Sequence, residues 1–385
     1  MRISSRQLIA GAIAASLVLA ACSGDDDTTT PATTQATDGS MATNAPGDPM
    51  GPVSGTLIGA GASSQAAAMQ GWQAGFQALN PDATIEYDAI GSGGGREQFL
   101  AGGDTLFAGS DAYLSPEELT AAIDRCPGDM GAIDLPHYIS PIAVAYNLPS
   151  LDGTTLNLSP AVLAGIFANT VTKWNDAAIA ADNPGVDLPD TTINPVHRSD
   201  ESGTTKNFTD YLSAVAPDVW TYGAIEAWDA DGPGGGEGGD GTSGVVAAVG
   251  QGEGSVGYAD ASQIGELPAA AIGVGDEFVE YSAEAAAKIV DVSSPAPDRP
   301  EGDFAYDLER DTTESGVYPI ALVSYHIVCR QYDTQEQVDL VKAFMLYVGS
   351  AEGQAASQAS AGSAPITPEL SAQLAAVVDT ISVAG

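Results

Sequence analysis

Three short turns rich in Gly, Ser and Thr each lead from an apolar run into a helical pattern in this chain. They are Ala62-Ser63-Ser64, Gly91-Ser92-Gly93 and Ser202-Gly203-Thr204. A helix that begins at such a turn presents unpaired N–H groups and a partial positive charge, so each turn is a candidate half-site for an oxyanion. Taken alone, however, each turn is better explained as an ordinary helix N-cap.

The hydrophobic pattern predicts an α/β fold, because short apolar strands alternate with helices along residues 55–385. Strands are expected at 56–58, 84–87, 105–108, 142–146, 193–196, 256–258 and 320–328. Helices are expected after each Gly/Ser turn, after a capping box at Ser115, over 159–167, and in two final segments at 335–348 and 368–381. The Gly-rich residues 232–244 are predicted to form a surface loop.

Composition sets the size of the protein and excludes one class of partner. The 385 residues are enough for two domains of ordinary size, and 44% of them are hydrophobic, so a sizeable core can be buried. Against 51 Asp and Glu stand only 12 Lys and Arg, a formal net charge of −39. That balance removes the basic surface needed to bind nucleic acid or to adhere by charge to anionic lipid.

The amino terminus has the pattern of an export signal over residues 1–21. Arg2 and Arg6 precede an apolar run at 8–21 that is too short to cross a bilayer comfortably. The tetrapeptide Leu19-Ala20-Ala21-Cys22 resembles the bacterial lipobox, which implies that Cys22 is lipidated and anchors the protein to the outer face of the cell membrane. Residues 22–54, rich in Thr, Pro, Gly, Asp and Ser, are predicted to be a disordered linker. The alternative is an ordinary secreted protein with a stray cysteine.

Two further cysteines, Cys126 and Cys329, remain as a pair in this exported context, which favours a disulfide between them. Two buried free thiols are the alternative. The sequence has no closely spaced Cys/His group, and its three histidines are far apart in the chain, so no metal site is predicted.

Arg198 strengthens the third turn as a candidate anion site. It lies four residues before Ser202, and Asp200 is close enough in the chain to orient it. A guanidinium held by a carboxylate is a rigid fork for an anion. An ordinary surface ion pair fits the same spacing.

Four segments identify a family when they are taken together. In chain order they are 59–64 (Gly-Ala-Gly-Ala-Ser-Ser), 90–94 (Ile-Gly-Ser-Gly-Gly), 108–115 (Ala-Gly-Ser-Asp-Ala-Tyr-Leu-Ser) and 198–205 (Arg-Ser-Asp-Glu-Ser-Gly-Thr-Thr). They resemble the phosphate-binding proteins of the bacterial phosphate-specific ABC transporter, and the likeness covers most of residues 55–385.

The resemblance implies a type II periplasmic-binding-protein fold, in which two α/β domains joined by two crossing hinge strands close on the ligand like a clamshell. Domain 1 is expected to contain residues 55–145 and 320–385, and domain 2 residues 146–319. The crossings are expected near 143–147 and 317–324.

The resemblance also implies which residues bind phosphate. Hydroxyl or backbone N–H donors are expected from Ser63, Ser64, Ser92, Ser202, Gly203 and Thr204, a charged contact from Arg198 with Asp200 orienting it, and an acceptor from Asp111. Asp111 opposes a fully ionised anion such as sulfate but can accept the proton that phosphate retains at neutral pH. Ser64 stands where the family has an aromatic residue, so only its backbone is expected to bind. Arg96 is an addition to the pattern and is expected to lie on a helix surface; the alternative is that it adds a charge at the rim of the site.

The function expected from this resemblance is high-affinity capture of inorganic phosphate outside the cell and its delivery to an ABC permease. The protein is expected to be a monomer that touches the membrane only through its lipid anchor, uses no cofactor and catalyses no reaction. The alternatives are a binding protein for another oxyanion or an organic phosphate, a phosphate-ester hydrolase, and an additional role as an adhesin. Against a hydrolase, the sequence has no G-x-S-x-G, H-E-x-x-H or Walker motif, and His197 beside Arg198 is expected to be a strand-end residue.

Overall fold

Short strands and helices alternate along the chain, as the hydrophobic pattern predicts. The computed structural model describes residues 51–151 and 153–385. The strands of these residues are β1 (Gly55–Gly61), β2 (Ala83–Asp88), β3 (Thr105–Ser110), β4 (Ala132–Tyr146), β5 (Asn157–Leu158), β6 (Asn194–Arg198), β7 (Glu237–Gly239), β8 (Ser255–Asp260), β9 (Ala271–Val274), β10 (Glu277–Val279), β11 (Ser294–Pro295), β12 (Tyr306–Asp307), β13 (Ala321–Cys329), β14 (Gln331–Tyr332) and β15 (Ser382–Val383). Their α-helices are α1 (Ala66–Leu79), α2 (Ser92–Ala101), α3 (Pro116–Arg125), α4 (Pro160–Phe167), α5 (Ala177–Asp182), α6 (Gly203–Val215), α7 (Trp228–Asp231), α8 (Gly241–Gln251), α9 (Ala283–Val292), α10 (Gln335–Gly349), α11 (Ala351–Ala361) and α12 (Pro368–Val378).

One eight-stranded sheet has the order β2-β1-β3-β13-β4-β8-β6-β7. Strands β2, β1 and β3 are parallel to one another and form the first half; strands β8, β6 and β7 are likewise parallel and form the second half. Between the halves, β13 is antiparallel to both β3 and β4, and β4 is antiparallel to β8. Two parallel halves are thus joined by antiparallel strands, which agrees with the predicted two-domain arrangement.

The strands of the two halves run toward each other. Strand β4 crosses from the first half to the second. Its residues up to Pro141 pair with β13, and from Ile142 onward they pair with β8. Beside this point the N–H group of Ile142 donates to the carbonyl oxygen of Ile320 over 2.7 Å. The carboxyl ends of β1 and β3 therefore meet those of β6 and β8, and ligands bind at such ends in α/β sheets.

The predicted strand at 142–146 was too short, because β4 already begins at Ala132. Pro136 and Pro141 argue against a strand in the sequence, since proline cannot donate to a neighbouring strand. Pro136 is tolerated because the register between β4 and β13 shifts there, leaving a bulge. All fifteen residues of β4 are buried, as expected for a strand covered on both faces.

Two other predictions were wrong in part. The Gly-rich residues 232–244 are not a loop throughout, since β7 pairs with β6 and α8 begins at Gly241. The end of the chain has a third helix, α11, whose Ala, Ser and Gln residues give little apolar periodicity. Small residues let α11 pack closely on α1, and a Cβ at Gly71 of α1 would lie 2.4 Å from the Ser360 Oγ.

The predicted signal peptide, the lipidation site at Cys22 and the linker up to residue 50 lie outside the described residues. The last linker residues are described, and there the N–H group of Val53 donates to the Asn80 side chain over 3.0 Å. None of the described helices has the length and apolar character needed to cross a bilayer.

The predicted disulfide is present. Cys126 at the end of α3 is bonded to Cys329 at the end of β13, with 5.5 Å between the Cα atoms. It ties the first half of the sheet to the strand that returns from the second.

His137 and His326 form a buried pair in the core beside Trp72 and Phe344. Their Nδ1 atoms are 3.0 Å apart, and the Nε2 atom of each ring has no hydrogen-bond partner among the described residues. Burial lowers the pKa of His137 to about 3, and burial together with His137 lowers the pKa of His326 well below its usual value. Both rings therefore stay neutral in the folded protein at pH values where the unfolded chain takes up protons.

We expect this pair to lower the free energy of unfolding by about 4 kcal/mol between pH 7 and pH 5, about 2 kcal/mol for each ring, because only the unfolded chain protonates below about pH 6.5. The carboxyls of Asp134 and Asp260, whose pKa values burial raises, change stability in the opposite sense. Chemical denaturation at pH 7 and at pH 5 should therefore compare the natural protein with a variant that lacks one ring. Between these pH values, the free energy of unfolding of His326→Gln is expected to fall by about 2 kcal/mol less than that of the natural protein. An unchanged pH dependence in this variant would contradict the assignment.

Candidate functional site

The predicted site residues meet where the strands of the two halves end. The turn after β1 carries Ser63 and Ser64, the turn after β3 carries Asp111, and Arg198 ends β6, while α2 and α6 begin at the same place. The predicted binding residues are all buried: Ser63, Ser64, Ser92, Asp111, Arg198, Ser202, Gly203 and Thr204.

The two halves touch across this point, so the cleft is closed. Thr204 at the start of α6 donates its hydroxyl across the cleft to the Asp111 Oδ2 over 2.8 Å. Within the first half, the N–H group of Asp111 donates to the Ser92 Oγ over 3.1 Å. A Cβ at Gly203 would lie 2.6 Å from the Ser92 Oγ and 2.8 Å from the Asp111 Cβ. Position 203 therefore admits no side chain in the closed form.

Helices α2 and α6 both direct their amino ends into the cleft. Ser202 caps α6, because its Oγ accepts the N–H group of Thr205 over 3.1 Å. Its own O–H can still donate to a ligand. The unpaired N–H groups and positive dipole end of each helix favour an anion between them.

Arg198 is held by Asp200 as predicted. The Arg198 Nε donates to the Asp200 Oδ1 over 2.6 Å, and Nη2 donates to Oδ2. Burial alone would raise the pKa of Asp200, but the hydrogen bond and charge of Arg198 bring it below its usual value. Because Asp200 engages Nε and Nη2, the Nη1 N–H groups remain for an anion.

Glycine at position 91 is what lets this ion pair approach the first half. Its φ is +91°, in the region that favours glycine, and a Cβ there would lie 2.4 Å from the Asp200 Oδ2. The predicted turn at 91–93 therefore accommodates Asp200 in addition to beginning α2.

Asp111 is surrounded by hydroxyl donors. Its Oδ1 accepts from Ser64 over 2.7 Å and from Ser324 over 2.6 Å, in addition to the Thr204 contact at Oδ2. The expectation that Ser64 contributes only its backbone missed the first of these contacts. Ser324 was missed altogether; its one signal in the sequence is that it is a serine inside the apolar strand predicted at 320–328.

The Ser63 turn is also contacted from the second half. The Ser63 Oγ lies 3.0 Å from the Thr242 Oγ1 and accepts the Thr242 N–H group over 3.0 Å. The Gln263 side chain donates to the carbonyl oxygens of Ser63 and Ser64. Sequence reasoning placed neither Thr242 nor Gln263 near the site, because the turn after β1 and the elements after β7 are distant in the chain.

The prediction that Arg96 lies on a helix surface was wrong. Arg96 is buried and contacts Glu118 over 2.7 Å, the Ser110 Oγ over 3.0 Å and Glu226 over 2.6 Å. Burial opposes the charges of both Arg96 and Glu226, but their pairing raises the pKa of Arg96 and, with Lys206, lowers the pKa of Glu226. A buried guanidinium is stable only when it is paired. The partners of Arg96 lie 22 and 130 residues away in the chain, so the sequence did not indicate the pairing.

The arrangement suits a partly protonated oxyanion. Hydroxyl donors surround the Asp111 carboxylate, which can accept a proton from the ligand. The second carboxylate of the site, Asp200, is paired with the Arg198 guanidinium. A ligand without a proton would leave the Asp111 carboxylate facing a like charge.

Residues 46–352 match the family described as the PBP superfamily domain. The chain is 36% identical over 338 residues to the phosphate-binding protein PstS2 of Mycobacterium bovis, a match that covers 85% of this chain and 87% of that protein. It is 35% identical over 382 residues to the phosphate-binding protein PstS3 of the same species, covering 96% of each.

A solved structure has the same fold. A high affinity periplasmic phosphate-binding protein bound with phosphate superposes with a TM-score of 0.67 at 22% sequence identity. The match covers 84% of this chain and 93% of that chain.

Proposed function

The chain belongs to the PstS phosphate-binding proteins within the PBP superfamily, and from that premise we propose that its cleft binds inorganic phosphate for delivery to an ABC permease. Two alternative ligands differ from inorganic phosphate. Another oxyanion such as sulfate differs in the number of protons it carries, and an organic phosphate is bulkier. The closed cleft with every proposed contact residue buried favours a small anion.

The observation that carries the proposal is the Asp111 carboxylate, which is surrounded by hydroxyl donors. Phosphate at neutral pH keeps a proton that can be donated to this carboxylate, whereas sulfate has none. A buried acceptor left without its hydrogen bond destabilises a complex by about 1–3 kcal/mol, before any like-charge repulsion is added. Rejection of sulfate is thus achieved by a repulsive group rather than by the donors.

We assign the ligand contacts by the family motifs. Ser63, Ser64 and Ser92 contribute donors from the first half, and Ser202, Gly203 and Thr204 contribute donors from the second. Arg198 supplies the charged contact and Asp200 orients it, an assignment supported by the two hydrogen bonds between these side chains. In the closed form Ser63 bonds to Thr242 and Thr204 bonds to Asp111, so phosphate entry rearranges those two hydroxyls.

We further propose that residues 55–145 and 320–385 form one domain and residues 146–319 the other. The crossing of β4 and the neighbouring Ile142–Ile320 hydrogen bond support a hinge at this place. Opening the hinge would separate Thr204 from Asp111 and admit the ligand.

Proteins of this family are exported components of transporters. We propose that residues 1–21 direct export and that lipidation of Cys22 anchors a monomer to the outer face of the cell membrane. The support is the sequence pattern, and a pair of acyl chains anchors stably without a basic patch. The linker would let the binding domains reach a permease while staying near the membrane.

We propose that the protein acts by binding alone and catalyses no reaction. The environment of His197 supports this. Its ring stacks on Trp228 with 5.0 Å between centroids, and its Nδ1 lies 3.0 Å from the carbonyl oxygen of Arg198. That nitrogen is directed at the backbone, where it activates no serine of the site.

Uptake of radiolabelled phosphate by the native cells tests the transport role. Deleting the gene is expected to reduce uptake at low external phosphate and to leave sulfate uptake unchanged. The natural chain and Glu237→Ala, which alters an exposed residue of β7, should restore uptake; Arg198→Ala should not. Full restoration by Arg198→Ala would contradict the assigned site.

Arg96 gives a separate prediction, because it joins the two proposed domains. Glu118 and Glu226 both pair with it, but only Glu226 lies across the cleft. Glu226→Gln is expected to speed phosphate release roughly tenfold, since one charge-assisted hydrogen bond of about 1.5 kcal/mol then no longer holds the closed form. The matched variant Glu118→Gln should leave release within about twofold. Stopped-flow release measurements check this, and equal effects of the two variants would contradict a role across the cleft.

A further inference from the structure

Asp111, Ser64 and Ser324 form a cluster that lies wholly in the first half and its adjoining strand. Ser64 and Ser324 both donate to the Asp111 Oδ1, over 2.7 and 2.6 Å. All three residues are at least nine-tenths buried. Ser64 lies in the turn after β1, Ser324 in β13 and Asp111 in the turn after β3. Strands β3 and β13 are paired, with Ser110 opposite Tyr325.

The direction of these hydrogen bonds is fixed by the donor on the far side of Ser324. The Gln65 Nε2, which can only donate, lies 2.6 Å from the Ser324 Oγ. Ser324 must therefore accept from Gln65 and use its one proton for Asp111. An ionised carboxylate can only accept, so Ser64 must donate to it as well.

The third hydroxyl on Asp111 differs in origin. Thr204 donates to the other carboxylate oxygen, Oδ2, but belongs to α6 of the second half. When the halves separate, Thr204 leaves and the two serine contacts stay. Asp111 would thus already be oriented in the open form, before a ligand is enclosed.

We propose, on the basis of the phosphate-binding function above, that Ser64 and Ser324 are specificity-determining positioning residues that fix the orientation of the Asp111 carboxylate. A carboxylate held at Oδ1 by two hydroxyls presents Oδ2 to the ligand and cannot turn away from it. A ligand oxygen that carries a proton donates to Oδ2, and one that does not meets a negative charge that has no alternative position. Fixing the carboxylate therefore maintains the rejection of sulfate.

Calorimetric titration of the purified full chain with inorganic phosphate and with sulfate tests this. Ser64→Ala and Ser324→Ala are each expected to lower the ratio of phosphate to sulfate affinity at least roughly tenfold, because a carboxylate freed on one side can rotate out of the way of sulfate. Phosphate affinity itself should stay within about tenfold, because the ligand contact assigned to Ser64 is its backbone N–H group, which the alanine variant keeps. Ser64→Thr keeps the hydroxyl and should restore the ratio.

A matched control is Ser357→Ala, which removes a buried hydroxyl that pairs with Ser363 in and beside α11, away from the cleft. It should leave the ratio unchanged, and thermal unfolding without ligand shows whether each variant is folded. A folded variant that loses phosphate affinity without any gain of sulfate binding would overturn the proposal, as would an unchanged ratio in both alanine variants. If the natural chain binds no phosphate, the proposed function falls and this inference falls with it; if it binds phosphate and only the ratio fails to move, the function stands.

Discussion

Arg198→Ala is expected to reduce phosphate affinity by roughly two to three orders of magnitude. Arg198 is the one guanidinium among the proposed contacts, and it is almost fully buried. Hydrogen bonds to a charged group contribute about 1.5–3 kcal/mol each, so losing two of them at the lower end of that range removes about 3–4 kcal/mol of binding free energy. The substitution also leaves the Asp200 carboxylate uncompensated beside an anion, which adds to the loss.

Three variants define what this loss means. Arg198→Lys keeps the charge but not the planar fork, so its affinity should fall between those of the natural chain and the alanine variant. Ser202→Ala should also weaken binding, and it should lower stability by about 1 kcal/mol because Ser202 caps α6. Glu237→Ala lies on the exposed edge strand β7 and should bind phosphate normally. Equal effects of Arg198→Ala, Ser202→Ala and Glu237→Ala would contradict the assigned site.

Asp111→Asn is expected to make sulfate a ligand. The amide is close in shape to the carboxylate, carries no charge, and can donate to an unprotonated oxygen. Removing the repulsion and the unmet acceptor should raise sulfate affinity by at least roughly a hundredfold, about 3 kcal/mol. Phosphate should still bind within about tenfold of its natural affinity, because the donors of both halves are unchanged.

Competition between phosphate and sulfate for this variant is the direct measurement. Sulfate should displace phosphate from Asp111→Asn but not from the natural chain at the same concentrations. Continued exclusion of sulfate by the asparagine variant would show that the donors, rather than Asp111, select the ligand.

The positions of the predicted contact residues followed from local signals. A Gly/Ser turn that ends a strand and begins a helix is recognisable in the sequence, and the sheet then brings such turns together at its carboxyl ends. The order of the four motifs along the chain carried the family resemblance, and that resemblance implied which turns meet at the ligand. Arg198 and Asp200 could be paired because they are two residues apart.

The contacts that the sequence did not predict are distant in the chain and have weak local signals. Ser324 lies 213 residues after Asp111, and nothing in strand β13 distinguishes its hydroxyl from any other buried serine. Arg96 was assigned to a surface because charged residues usually lie there. Its burial depends on Glu226, which is 130 residues away.

The prediction of secondary structure was wrong where the local preference of the residues opposes their tertiary context. The first part of β4 contains two prolines but is fully buried and pairs with β13. Helix α11 lacks an apolar stripe but packs by means of small residues. Strand β7 is Gly-rich and gains its conformation from pairing with β6. In each case a neighbouring element supplies the stability that the local sequence lacks.

Calorimetric titration of the purified chain, freed of carried-over phosphate, tests the central claim most directly. Phosphate and then sulfate are added at neutral pH. The geometry of Asp111, Arg198 and the helix ends predicts tight binding of one phosphate per chain and no heat from sulfate. Comparable binding of both anions would contradict the role of Asp111, and binding of neither would contradict the assignment of this cleft to phosphate.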